Sequence, residues 1–300
     1  MKKCLFSILF TLASASVFAQ SDVGTDAAIK RYYRDSMIEN MTHYFGYPLC
    51  SQVMLMRKLE NEALILAHLD DEPKKRFNEM GRTNFSDEFV EQQKDLSDLP
   101  SIPDYYKRSR PVCFLGNVSV KTMDADKTEA RFEQISLIFD EGNSPSFVDE
   151  TRHRYVLAST THIWPSDRDY HYDCWAQIIK AHRGLADPDE DLIDVKFVTG
   201  NISSQVSATE KHRFYLVEKN KWVKASELNS GDHLQRTIDQ ICEVEATNKY
   251  TVEKYKDENL NWFKRNILDG HPYVFNLTTN VFSYYVGSSE NLMALVHNAY

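Results

Sequence analysis

Thr209-Glu210-Lys211-His212-Arg213-Phe214-Tyr215-Leu216-Val217 is the stretch on which the reading of this chain turns. A hydroxyl and an imidazole precede a run of aromatic and branched residues of strand type. Trp222-Val223-Lys224-Ala225-Ser226-Glu227-Leu228 follows, then Gly231-Asp232. Two further stretches are read with it. Upstream, Cys113-Phe114-Leu115-Gly116-Asn117-Val118-Ser119-Val120 opens a β-rich region directly after Pro100, Pro103 and Pro111. Downstream, Tyr284-Tyr285-Val286-Gly287 is followed after a short spacer by Leu295-Val296-His297-Asn298. Taken singly, each stretch has an ordinary structural explanation. Cys113 reads equally as a small buried hydrophobe or a disulfide partner, and His212 as a satisfied strand histidine.

In chain order, the three stretches resemble the blocks of the Hint family. These are the self-processing modules of inteins, hedgehog proteins and bacterial intein-like domains. Cys113 to Gly116 matches the opening Cys-Phe and its glycine turn. Thr209, His212, Phe214, Trp222, Ala225, Leu228, Gly231 and Asp232 match the middle block, and Tyr284 to Asn298 the last. The resemblance implies a mainly β, horseshoe-shaped Hint-like domain over residues 113–298, preceded by an α-helical N-terminal domain. The chain departs from the pattern in places. The first block lacks the extra small residue before its glycine, and no Gly-Asp follows it. Phe282 stands where the family has a histidine before its last aromatic strand. The stretch between the first two blocks is longer than in minimal members, implying an insertion that holds a helix over Asp173–His182.

The chemistry that the resemblance implies suits these residue types. The Cys113 thiol attacks the preceding carbonyl and converts the Val112–Cys113 amide into a thioester. His212, titrating near neutral pH, protonates the leaving amine, and Thr209 holds the peptide or stabilises its oxyanion. At the other end, the Asn298 side-chain amide cyclises onto its own carbonyl with help from His297, cutting Asn298–Ala299. Ala299 has no nucleophile, so ligation of the flanks is not expected. Water or an external nucleophile is the acyl acceptor, and no cofactor is called for. Two other readings stay open: a non-catalytic secreted interaction module with a degenerate Hint fold, and the processing module of a bacterial polymorphic toxin system.

Working outward, Lys2 and Lys3, the apolar run Leu5 to Val17 and Val17-Phe18-Ala19 form a signal peptide with a cut expected after Ala19. Its loss removes two lysines and takes the net charge from −9 to −11. The expected location is therefore secreted or periplasmic, an oxidising setting. Cys50, Cys113, Cys174 and Cys242 remain there, in spacings that do not dictate a pairing. Residues 20–96 read as a helical domain, with helices over Asp26–His43, from a Ser51 cap onward and over Ser86–Leu96. The methionine and tyrosine stripes of these helices read as core. A proline-containing linker covers 97–112, and 299–300 is a residual flank. The acidic balance of 44 to 35 argues against nucleic acid as a partner, and no apolar run is long enough to cross a bilayer. What the helical domain binds is not legible. His171, Asp173, Cys174 and His182 match no standard metal spacing, so no metal site is expected. Asp187, Asp189 and Asp191 read as a solvated acidic loop, because Leu192 occupies the glycine position of a calcium loop.

Overall fold

The computed structural model describes residues 23–68, 112–142, 154–165, 167–186, 191–237, 240–251, 267–268 and 271–298. The signal peptide, the Ser86–Leu96 helix, the proline-containing linker up to residue 111, Asp187, Asp189 and the 299–300 flank lie outside them.

Helix α1 covers Val23–Asn40, and the Asn40 side chain closes it by donating to the Ser36 carbonyl at 2.6 Å. The helix stops short of His43, which instead opens a small hairpin of β1 (His43–Tyr44) and β2 (Tyr47–Pro48). Its two-residue turn places Phe45 at φ 48° and Gly46 at φ 88°. Positive φ at both centres is the geometry that matches strand twist in a tight hairpin, and Gly46 supplies one of them. Helix α2 covers Cys50–His68, with Ser51 in its first turn and not at its cap. Tyr33, Val53, Met56 and Ala63 are buried, but Tyr32 and Met54 are exposed, so the stripes expected to be core are so only in part. Residues 42–51 belong to the same compact unit as the β region, and the remaining helical residues form the other unit.

The β region begins with β3 (Phe114–Leu115), β4 (Ser119–Met123) and β5 (Ala130–Gln134), then helix α3 (Ile135–Gly142). Strand β6 (Tyr155–Ser159) leads through a short 3-10 turn, Thr160–His162, towards β7 (Asp173–Leu185). The helix expected over Asp173–His182 is therefore strand. Residues 173–177 pair with β6 and residues 178–185 with a later strand, with Ile179 at a shift of register. Ladder pairing along the whole length of β7 overrides a local helical pattern.

Strands β8 (Asp191–Thr199) and β9 (Ile202–Thr209) form a long hairpin, and Lys249 holds Asp191 at 2.5 Å. Next come β10 (Arg213–Leu216), β11 (Lys221–Lys224), β12 (His233–Thr237) and β13 (Gln240–Thr251). The chain ends with β14 (Ile267–Leu268), β15 (His271–Thr279), β16 (Ser283–Ser289) and β17 (Leu292–His297). Neighbouring strands follow the order β11-β10-β12-β13-β8-β9-β3-β15-β7-β6-β4-β16-β17, and β17 returns to pair with β10. That return sets Val296 opposite Phe214. Meanwhile β3 lies between β9 and β15, setting Phe114 opposite both Ala208 and Phe275. The start of the first block, the turn of the middle block and the end of the last block are thereby neighbours.

Two features hold this arrangement. Residues 42–51 are fastened to β7: Cys50 is bonded to Cys174, Leu49 bridges Trp175, and the Trp175 indole N–H donates to Tyr44 O at 2.7 Å. At Gly287 the strands approach so closely that a Cβ would sit 2.5 Å from the Leu292 carbonyl oxygen. Backbone cannot step aside as a flexible side chain can. Gly287→Ala is expected to destabilise the β region by about 1–3 kcal/mol. Urea denaturation measures this, and an unchanged midpoint would contradict the packing described.

Candidate active site

The Thr-x-x-His spacing works through one turn. The His212 amide donates to Thr209 O at 3.0 Å at the end of β9, so the hydroxyl and the imidazole are carried on the same bend. Thr209 then grips Cys113 twice. Its Oγ1 accepts from the Cys113 amide at 3.0 Å, and its own amide donates to Cys113 O at 2.9 Å. On the other side of the same peptide bond, Asn276 Nδ2 donates to the Val112 carbonyl at 2.7 Å. The Asn276 amide has its orientation fixed, because Oδ1 accepts from the Tyr284 hydroxyl at 2.5 Å and from the Leu277 amide at 2.8 Å. Both faces of the Val112–Cys113 amide are thus held by buried side chains. Cys113 is also buried and stands outside the disulfide.

His212 is fully buried, its ring centroid 3.8 Å from that of Phe114, and neither ring nitrogen has a hydrogen-bond partner. Burial pushes its pKa down to about 3, and nearby His297 adds to the shift. The Val112 carbonyl pulls the other way, but without a hydrogen bond of normal geometry. The expectation of titration near neutrality is therefore corrected: at pH 7 the resting imidazole is neutral. Unpaired buried polar atoms cost roughly 1–3 kcal/mol each, a cost that is tolerated where the group has work to do.

The other end lies beside it. His297 closes β17, with its pKa lowered to about 4 by burial first and then by His162. Asn298 is buried. Its backbone N–H donates to Phe282 O at 3.1 Å. With the side-chain amide assigned from its partners, Nδ2 donates to the same carbonyl at 2.6 Å and Oδ1 accepts from the Thr279 amide at 2.9 Å. Phe282 adopts φ 60°, which turns its carbonyl towards Asn298.

The structure gathers Cys113, Thr209, His212, His297 and Asn298 from three separate stretches into one region. Two other residues there escaped the sequence reading. Asn276 is the one polar position within Val274–Leu277, a buried run of β15, and that mismatch was its only signal. His162 had none. The four residues weighed as metal ligands are engaged elsewhere. Cys174 is in the disulfide, His171 bonds Trp164 O, His182 bonds Thr278 and Asp173 accepts from Tyr285. Among the described residues no cluster of three or more metal-type ligands occurs.

No family model and no curated protein matches the chain. Solved structures do. A bacterial intein-like domain from Clostridium thermocellum aligns at 17% identity over 63% of this chain and 100% of its own, with a TM-score of 0.40. An intein from a hyperthermophile aligns at 13% over 63% and 100%, with a TM-score of 0.44. A DnaB intein from Synechocystis aligns at 14% over the same shares, with a TM-score of 0.39. Each of these three solved structures is matched over its whole length. The arrangement of the β region's own side chains, and not these distant likenesses, carries the reading of activity.

Proposed function

We propose that this chain is a self-processing protein that breaks its own Val112–Cys113 bond through a thioester. The observation that carries this reading is the grip on that one peptide: Asn276 on its carbonyl oxygen, Thr209 on its N–H, and an unpaired imidazole beside it. Neutral His212 takes the proton from the Cys113 thiol. The sulfur attacks the Val112 carbonyl carbon, and the developing oxyanion falls to Asn276 Nδ2. The imidazolium now formed is a strong acid, because its surroundings disfavour the charge. It returns the proton to the Cys113 nitrogen, the C–N bond breaks, and a thioester with a free amino group results. Water or an external nucleophile releases the acyl group. Asn298 cyclisation, assisted by His297, cuts Asn298–Ala299 in the same way that the fixed amide suggests, by intramolecular placement.

The reading includes export after removal of residues 1–19. Cys242 is no competitor for the chemistry, since burial pushes its thiol pKa up to about 12 and leaves it inert. A non-catalytic module with Cys113 in a disulfide would need Cys242 as its partner, and neither of the two is disulfide-bonded here.

The test is intact-mass measurement of the secreted protein with and without hydroxylamine, which attacks thioesters far faster than amides. The expected result is a chain starting at Gln20 that breaks between Val112 and Cys113, with hydroxylamine captured on Val112. A chain that gains no such break under prolonged hydroxylamine treatment would remove the reading.

A further inference from the structure

Phe282 occupies the position where the Hint resemblance leads one to expect a histidine, yet a histidine from elsewhere in the chain lies beside it. It comes from the insertion between the first two blocks. His162 ends the 3-10 turn Thr160–His162, and its ring lies 5.5 Å from Phe282 and 4.3 Å from His297, edge-on to the latter at 84°. Trp222 completes the group at 5.1 Å from His297 and 6.0 Å from His162.

The turn that presents His162 is firmly pinned. Thr160 Oγ1 donates to Tyr170 O at 2.5 Å and accepts from the Tyr172 amide at 2.9 Å. Ser283, the residue after Phe282, donates from Oγ to Ser159 O at 2.6 Å, tying the turn directly to the segment that holds Asn298. Within this group, His162 Nδ1, His297 Nδ1 and Trp222 Nε1 are all buried without a hydrogen-bond partner. Three such atoms on touching rings are hard to account for as packing, since apolar side chains would fill the space without the desolvation penalty. The charged group facing the two histidines is Arg213 of β10.

We infer that His162 is a positioning residue for the cut after Asn298, acting through His297 and replacing from the insertion the imidazole that Phe282 displaces. This rests on the proposed cyclisation of Asn298. In that step Nδ2 bonds to the Asn298 carbonyl carbon and gives up a proton, while the bond to Ala299 breaks and the Ala299 nitrogen gains one. His297 mediates that transfer. His162 fixes the His297 ring and supplies a second imidazole to share the proton during turnover.

The experiment follows C-terminal peptides of the full-length chain by mass spectrometry over time, alongside the hydroxylamine cut at Val112–Cys113 as a control for folding. His162→Ala is expected to slow cleavage after Asn298 about 10²-fold while leaving the Val112–Cys113 cut unchanged. Adding Phe282→His to His162→Ala is expected to restore it, because the imidazole then comes from the other side of the same group. If His162→Ala also loses the control cut, His162→Gln takes its place, keeping the volume and a polar tip without titration. Cleavage after Asn298 at the wild-type rate in these variants overturns the role of His162 and leaves the cyclisation standing. A slowed variant that Phe282→His does not restore assigns His162 to packing and likewise overturns the role. A wild-type chain that never cleaves after Asn298 overturns the cyclisation and the role of His162 together.

Discussion

Asn276→Asp is expected to slow hydroxylamine-induced cleavage at Val112–Cys113 by about 10²–10³-fold, the loss that follows removal of one oxyanion donor. Aspartate is nearly isosteric with asparagine and can still accept from Tyr284 and Leu277, the two donors that orient the native amide. It cannot present an N–H to the Val112 oxygen. In its ionised form it opposes the negative charge that develops there. The substitution therefore separates chemistry from packing better than Asn276→Ala, which strands the Tyr284 hydroxyl in a buried site. Cleavage by Asn276→Asp should recover as the pH is lowered and the carboxyl regains a proton to donate. Tyr284→Phe should give a smaller loss, because the Leu277 amide still holds Oδ1. Cys113→Ala should abolish the reaction and so sets the floor of the assay. Wild-type rates in Asn276→Asp at neutral pH would show that the contact with Val112 O does not reach the transition state.

The second large effect is on stability in mild acid. His212 and His297 are neutral in the folded protein, with pKa values lowered to about 3 and about 4, whereas in the unfolded chain they titrate near the ordinary histidine value. Each therefore binds its proton more readily when unfolded. Their contribution is fully present above the unfolded pKa of about 6.5 and is lost as the pH falls below it, at about 1.4 kcal/mol per pH unit from each group. His182, lowered to about 4 mainly by burial, acts in the same direction. Against a typical domain stability of about 5–15 kcal/mol, this is enough to unfold the β region before the pH reaches the folded-state values. Urea denaturation between pH 7.5 and 5 should show a steep fall, flattened in His212→Gln. A midpoint that holds steady across that range would contradict the buried, neutral state of these rings.

Legibility in the sequence followed distance along the chain. Thr209 and His212 share one bend, and His297 and Asn298 are adjacent, so each pair leaves a local signature. Asn276 reaches the same site across 164 positions from Val112. Nothing in a run of strand-type residues announces which partner a lone amide will meet. His162 was hidden for the same reason, compounded by an insertion whose neighbours were misread. Asp173–His182 reads as a helix locally, and its extended state comes from pairing with β6 and β15, the latter remote in sequence. The Cys50–Cys174 pairing spans 124 positions and follows a β1–β2 hairpin, of which the helical pattern over Asp26–His43 reaches only the first residue. What is legible, the order of three blocks, rests on residues that lie close together along the chain.

The bond between Cys50 and Cys174 encloses the Val112–Cys113 peptide within a single covalent ring. A cut there opens the ring without parting its halves, so the product is one molecule with two chains, as in a nicked zymogen. Under the proposed reaction, that cut alone does not part the two chains. The helical piece departs only when a reductant also breaks the disulfide, which makes the two bonds a two-key lock, one key chemical and intrinsic, the other supplied by the surroundings.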